Sequence, residues 1–301
     1  MASHDAAPDP RNEHLLVWVN GRLVPKAEAV VSVYDSGFML GDGVWEGIRL
    51  HNGRWVFLAE HLDRLFEGAR AIDLTIGMDG AGLAAALDAI AAANGMTGDA
   101  HARLMVTRGP KSRPFQDPRL SRSGPTIVII AEHSRPAGPA QGLMLATVPQ
   151  HRGLPLTQDP KLNVHSKLNC ILALIAAQKA GADEALMLDP FGFVNTTNSC
   201  NFFIVRRGEV WTSTGDHCLN GVTRAKVIEL CRAYAIPIAQ RNYSLVETYS
   251  ADEAFLTGTF GGLAPVAVID GRHFPQPLPG PVTARLSALY KELVERVTEG
   301  P

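Results

Sequence analysis

Cysteine is scarce: there are four in 301 residues (Cys170, Cys200, Cys218 and Cys231), and none lies in a Cys-x-x-Cys pair. That excludes a disulfide framework and a thiolate metal site, and it makes a reduced, cytoplasmic protein the expectation. No two histidines stand at the i, i+4 spacing that would turn both imidazoles to one helix face, so no metal is expected from them either. Long apolar runs are also missing. The longest, from Cys170 to Ala177, is far short of the roughly 18 residues of a membrane span. Charge of one sign is lacking too: 28 Lys+Arg against 30 Asp+Glu leave a net −2, too little field to gather nucleic acid or an anionic membrane. The first residues hold no basic segment leading into an apolar one, so a polar, poorly ordered tail over 1–14 is expected rather than a signal peptide. Neither G-x-x-x-x-G-K nor G-x-S-x-G occurs, which removes the commonest phosphoryl-transfer and serine-hydrolase readings.

What is present is an ordinary globular composition, 46% hydrophobic and 19% charged, long enough for two domains. Asn20-Gly21 and Asn52-Gly53 are favoured hairpin turns between apolar runs. Helical periodicity follows from His61 and again over 83–93, then β-type runs at 103–107 and 126–131. Pro136, Gly138 and Pro139 interrupt all periodicity, which places an interdomain linker at 132–142. The expected organisation is therefore an α+β domain over 15–131 and a barrel-like domain over 143–301, the latter with helices at 168–180, 223–234 and 282–297 among short strands.

Three glycine-rich segments are candidates for chemistry. Gly41-Asp42-Gly43 precedes a β-type run rather than a helix, so it reads as a tight turn and not as a dinucleotide fingerprint. Leu219-Asn220-Gly221-Val222-Thr223-Arg224 is a turn directly ahead of a helix, where free N–H groups and a hydroxyl can converge on an anion. Thr257-Gly258-Thr259-Phe260-Gly261-Gly262 likewise lets backbone approach an oxyanion.

The stretch from Tyr34 to Arg49, then His61-Leu62-Asp63-Arg64-Leu65, Ala182-Asp183-Glu184-Ala185, Asn201-Phe202-Phe203 and the Leu219–Arg224 turn, resembles the class IV aminotransferases in order and spacing. These are the fold-type IV pyridoxal-phosphate enzymes, among them branched-chain and D-amino acid aminotransferases and aminodeoxychorismate lyases. The resemblance implies a two-domain α+β fold with an N-terminal α/β sandwich and a C-terminal pseudo-barrel. It implies pyridoxal 5'-phosphate as cofactor, a homodimer, and amino transfer from an amino acid or amine to a 2-oxo acid. A lyase of the aminodeoxychorismate type and a non-catalytic cofactor-binding relative are the alternatives.

Residue by residue, Arg64 matches the arginine that binds the cofactor phosphate, with Leu219, Gly221, Val222, Thr223, Thr259 and the Phe260 amide as the rest of the cup. Two lysines compete for the covalent link. In the family it lies about 33 or 34 positions before the residue facing the pyridine nitrogen, one helix plus one strand away. That residue matches Thr196, which follows Lys161 by 35 positions and Lys167 by 29. Lys161 needs only a short loop insertion and is favoured, with Lys167 as its rival. Most members carry glutamate where Thr196 stands, and a threonine hydroxyl is expected to donate to an unprotonated ring nitrogen. For the substrate, Trp45 matches an aromatic pocket wall, Arg49 an arginine common in branched-chain enzymes, and the Arg103–Arg113 run a carboxylate-holding segment of the D-amino acid enzymes.

Overall fold

The structure, a computed structural model, describes residues 8–135, 142–275 and 277–299. The expected linker therefore falls largely outside the described residues, at 136–141, as do residues 1–7 of the expected tail. Within the rest of that segment Pro10–Asn12 form a 3-10 turn capped by Asp9, and Asn12 exchanges two hydrogen bonds with the backbone of His133. The described chain falls into two compact units, one of residues 8–135, 163–167 and 294–299, the other of 142–162 and 168–293.

The first unit is a six-stranded antiparallel sheet with helices. In chain order it contains β1 (Leu16–Val19), β2 (Arg22–Pro25), α1 (Ser36–Leu40), β3 (Gly43–His51), β4 (Arg54–Trp55), α2 (Leu58–Ala71), α3 (Gly80–Ala93), β5 (Ala100–Thr107) and β6 (Thr126–His133). The sheet order is β2-β1-β6-β5-β3-β4. Asn20-Gly21 and Asn52-Gly53 turn the two hairpins with positive φ at all four residues, the torsions a two-residue loop demands. Gly41 ends α1 in the left-handed conformation, as expected of a turn glycine. Period-two alternation sorts β3 into two faces. Val44, Glu46, Ile48 and Leu50 are buried, together with Leu62 and Leu65 of α2, while Trp45, Gly47 and Arg49 line the other face. A carboxylate thus sits in a row otherwise made of aliphatic core residues.

The second unit is a closed barrel with helices added. It runs β7 (Leu143–Thr147), α4 (Leu168–Lys179), β8 (Glu184–Leu188), β9 (Val194–Thr197), β10 (Asn201–Arg206), β11 (Glu209–Thr212), α5 (Val222–Ala233), β12 (Ile238–Gln240), α6 (Leu245–Tyr249), β13 (Glu253–Gly258), β14 (Gly262–Ile269), β15 (Arg272–His273) and α7 (Pro281–Thr298), the last turn of α7 grouping with the first unit. The order β10-β13-β14-β7-β8-β9 returns to β10 through the pair Asn201↔Thr196, so six strands close on themselves. Leu143, Leu145, Leu186, Phe202, Ile204, Leu256 and Val266 form its core. β7 and β8 are parallel, joined through α4, whose Ala173 and Ala177 pack on Ala146, Ala185 and Met187. Glu253 caps the start of α7 by accepting from the N–H groups of Val282 (2.9 Å) and Thr283 (2.8 Å).

Candidate active site

The barrel closure organises the polar residues of the second unit. Across β9, β10 and β13 the register runs Thr196↔Asn201↔Thr257, so these three side chains share one face, opposite the one that carries Phe202 and Leu256 into the core. A bulge makes this possible. Leu188 pairs with Val194 but Met187 with Thr196, and the extra residue turns Thr196 away from the core face that Val194 occupies. Asn201 then holds the predicted anion turn, donating from Nδ2 to the Leu219 carbonyl (2.9 Å) and accepting at Oδ1 from Gly221 N–H (3.2 Å). A Cβ on residue 221 would collide with Asn201 Oδ1, so only glycine lets the turn lie this close.

From that turn α5 begins with Gly221 as N-cap and no side-chain cap, its first residues Val222 and Thr223 buried. A helix start so built presents N–H groups to a ligand rather than to its own chain. Beside it, Thr257 is 2% exposed and its Oγ1 has no hydrogen-bond partner among the described residues. Thr259 and Phe260 lie in the hairpin tip closed by the pair Gly258↔Gly262. An orphaned hydroxyl, an uncapped helix start and a turn that admits no Cβ fit a phosphate ester.

Thr196 corrects one expectation. Its Oγ1 lies 2.7 Å from the Cys200 carbonyl, a contact in which the hydroxyl must donate, so only lone pairs remain for any further partner. A group facing this hydroxyl has to be a donor, the reverse of the sequence reading.

In the first unit, Arg103 of β5 lies with its guanidinium 3.8 Å from the Trp45 ring centroid, and Lys167 Nζ lies 5.6 Å from the same ring. Trp45 is fixed by donation from Nε1 to the Val164 carbonyl (3.0 Å) and by Asn163, whose Nδ2 donates to the Trp45 carbonyl (2.6 Å). Burial pushes the nearby His165 below the ordinary histidine range, and the positive charges of Arg103 and Lys167 push it further, outweighing the opposing pull of the Val44 carbonyl and Asp35.

The other candidates are placed as follows. Arg64 makes a bidentate pair with Glu46, from Nε (2.8 Å) and Nη2 (2.7 Å), and His61 Nδ1 reaches the same carboxylate at 2.7 Å. Arg49 is committed to Asp99 (3.1 Å) and borders His51, so the structure does not bring it to Trp45 as a free cation. Arg113 is exposed in the loop after β5. Lys161 is exposed in the turn ending at Leu162, its N–H bonded to Asp159 Oδ1 (2.9 Å). The sequence reading gave Glu46 no role and named Asn201 and Thr257 only within longer motifs, without a role of their own.

Comparison with known proteins now gives the class. The family model for amino-transferase class IV matches residues 43–269. A putative branched-chain-amino-acid aminotransferase of Methanocaldococcus jannaschii is 36% identical over 92% of this chain and 96% of its own. Branched-chain-amino-acid aminotransferase-like protein 2 of Arabidopsis thaliana is 40% identical over 96% of this chain, which spans about half (52%) of that relative. A T.th. branched-chain amino acid aminotransferase complexed with N-(5'-phosphopyridoxyl)-L-glutamate superposes with a TM-score of 0.88, at 29% identity and 94% coverage of each chain. The chain belongs to the class IV aminotransferase family and has the fold-type IV architecture. No helix among the described residues is long and apolar enough to cross a membrane.

Proposed function

We propose that this protein transfers an amino group from a branched-chain-type amino acid to a 2-oxo acid, with the cofactor phosphate at the Gly221–Thr223 helix start. Bound pyridoxal phosphate supplies an electron-withdrawing ring that makes the substrate α-proton acidic. The chain's residues do the rest. Leu219, Gly221, Val222, Thr223, Thr259 and Phe260 would grip the phosphate, and Thr196 would meet the ring nitrogen. Lys161 would hold the cofactor covalently, and its amine would serve as the acid and base for the proton shift. The observation that carries this reading is the Thr196–Asn201–Thr257 row, because it ties the ring-facing residue to both anion turns through hydrogen bonds and register.

Trp45 forms an apolar wall for the substrate side chain, and Arg103 on its face receives a carboxylate. The exposed Arg113 argues for the branched-chain type over the D-amino acid type. A homodimer is supported by α4, whose Leu168, Ile171, Leu172 and Ile175 form an i, i+3, i+4, i+7 stripe that stays 41–66% exposed. Sedimentation equilibrium reads this directly. Four free thiols, three of them buried, support a reducing, cytoplasmic compartment.

Lys167 keeps a second reading open through its place over Trp45, where it can serve either as the linking lysine or as a substrate-side cation. Borohydride reduction of the holoenzyme followed by peptide mapping decides. Label on Lys161 is expected, with Lys167→Ala still fixing cofactor and Lys161→Ala not. Label on Lys167 overturns the assignment.

A further inference from the structure

Arg224 has no role in the reading above, yet its environment is unusual. It is 5% exposed, one residue beyond Thr223 in the first turn of α5. Among the described residues its donors meet neutral oxygens only: Nη2 donates to the Ser213 carbonyl (2.7 Å) and to Gln240 Oε1 (3.0 Å), Nη1 donates to Asn220 Oδ1 (3.2 Å), and Nε has no partner. The titratable groups facing it are the Cys218 thiol and the Tyr243 hydroxyl, whose pKa burial pushes up, and no carboxylate pairs with it among the described residues. A buried cation in that state is costly, because neutral acceptors replace its hydration only in part. Burial accordingly pulls its pKa down. Such a cost is offset when a ligand brings the missing negative charge to the same place, and the uncapped start of α5 is where an anion would sit.

We propose that Arg224 is a buried counter-charge for the phosphate at the Gly221–Thr223 turn, acting through the helix start rather than by direct contact. The inference rests on the phosphate assignment made under the proposed function. Arg224 is a positioning residue on this view: by fixing Ser213 and Asn220 it also shapes the loop ahead of the turn. A loop clamp and a counter-charge differ in one respect, since only the counter-charge discriminates between ligands with and without phosphate.

The test therefore compares binding of pyridoxal phosphate and of pyridoxal to the cofactor-stripped protein by equilibrium dialysis, for the natural chain, Arg224→Gln and Arg224→Lys. Glutamine should weaken pyridoxal phosphate about tenfold or more while leaving pyridoxal within about twofold, the loss of one charge–charge interaction in a partly desolvated site. Lysine keeps the charge and loses the fork, so its preference for the phosphorylated ligand should stay near the natural value. Equal losses for both ligands in the glutamine variant, or loss of the preference in the lysine variant, overturns the proposal. If glutamine prevents folding, the lysine variant still decides. A natural chain that shows no preference for pyridoxal phosphate over pyridoxal would sink the phosphate assignment itself.

Discussion

Replacing Glu46 with glutamine probes the ion cluster beneath β3. Glu46 is fully buried and accepts three charge-assisted or histidine hydrogen bonds, two from Arg64 and one from His61. Glutamine preserves shape and one acceptor but turns an NH2 group toward a donor, and it leaves the guanidinium without its carboxylate. Removing one partner of a buried pair costs about 3–5 kcal/mol. The Arg64 side chain keeps 16% of its surface and can recover some water, which favours the lower end, about 3 kcal/mol. Urea unfolding of the cofactor-free protein, followed by circular dichroism, measures it. The pH dependence supplies an independent check. Burial raises the Glu46 pKa, but the hydrogen bonds from His61 and Arg64 outweigh it and hold the group below its ordinary 4.5. The unfolded value is thus the higher one, so the stabilisation is fully present above about pH 4.5 and is lost as pH falls through the depressed folded value. The variant lacks this titration and should lose stability less steeply on the acid side. A loss under about 1 kcal/mol with an unchanged acid limb would refute the claim that the cluster stabilises the first unit.

Two further substitutions separate ligand binding from folding. Thr257→Val removes a buried hydroxyl that has no partner among the described residues, so the cofactor-free protein should gain about 1 kcal/mol in thermal or urea unfolding while its affinity for pyridoxal phosphate falls severalfold; a destabilised variant would mean the hydroxyl is already satisfied. Thr196→Val should change stability by less than about 1 kcal/mol, because the Cys200 carbonyl still accepts from Thr197 N–H (2.9 Å) and Thr197 Oγ1 (3.0 Å). In the natural holoenzyme the nitrogen-15 shift of labelled cofactor should report a protonated ring nitrogen donating to Thr196, and the valine variant should move toward the unprotonated form at the same pH; an unprotonated nitrogen in the natural protein would refute the donor assignment.

Much of the fold was legible because local signals agreed with tertiary demands. Asn-Gly pairs marked both hairpins of the first unit, and the final periodic run, expected over 282–297, forms α7 at Pro281–Thr298. β14 was not legible: Gly262–Ile269 opens on glycine and contains Pro265, features that count against a strand, yet it bonds to β13, β7 and β15 because barrel closure requires it. β9 was missed for a related reason. Val194–Thr197 is short and polar, and the bulge that turns Thr196 outward depends on a register no single segment contains. The direction of the Thr196 hydrogen bond is likewise set by a carbonyl four residues away across a turn.

Arginine shows best why the site was harder to read than the fold. The sequence offers Arg64 for the cofactor phosphate and Arg49, Arg103 and Arg113 for the substrate, and names Arg224 only as the end of an anion turn. Folding separates them by what stands opposite. Arg49 meets Asp99 and Arg64 meets Glu46, so part of each charge is already used within the protein. Arg113 stays in water, where a unit charge pair about 4 Å apart is worth about 1 kcal/mol. Arg103 lies on an indole face and Arg224 is buried among neutral oxygens, neither with a carboxylate within reach among the described residues. At the effective dielectric near a protein surface the same pair is worth about 4 kcal/mol, so an incoming carboxylate or phosphate gains most beside these two. The arginines that a ligand can use are the ones the protein has left uncompensated, and pairing between distant strands and helices decides which those are.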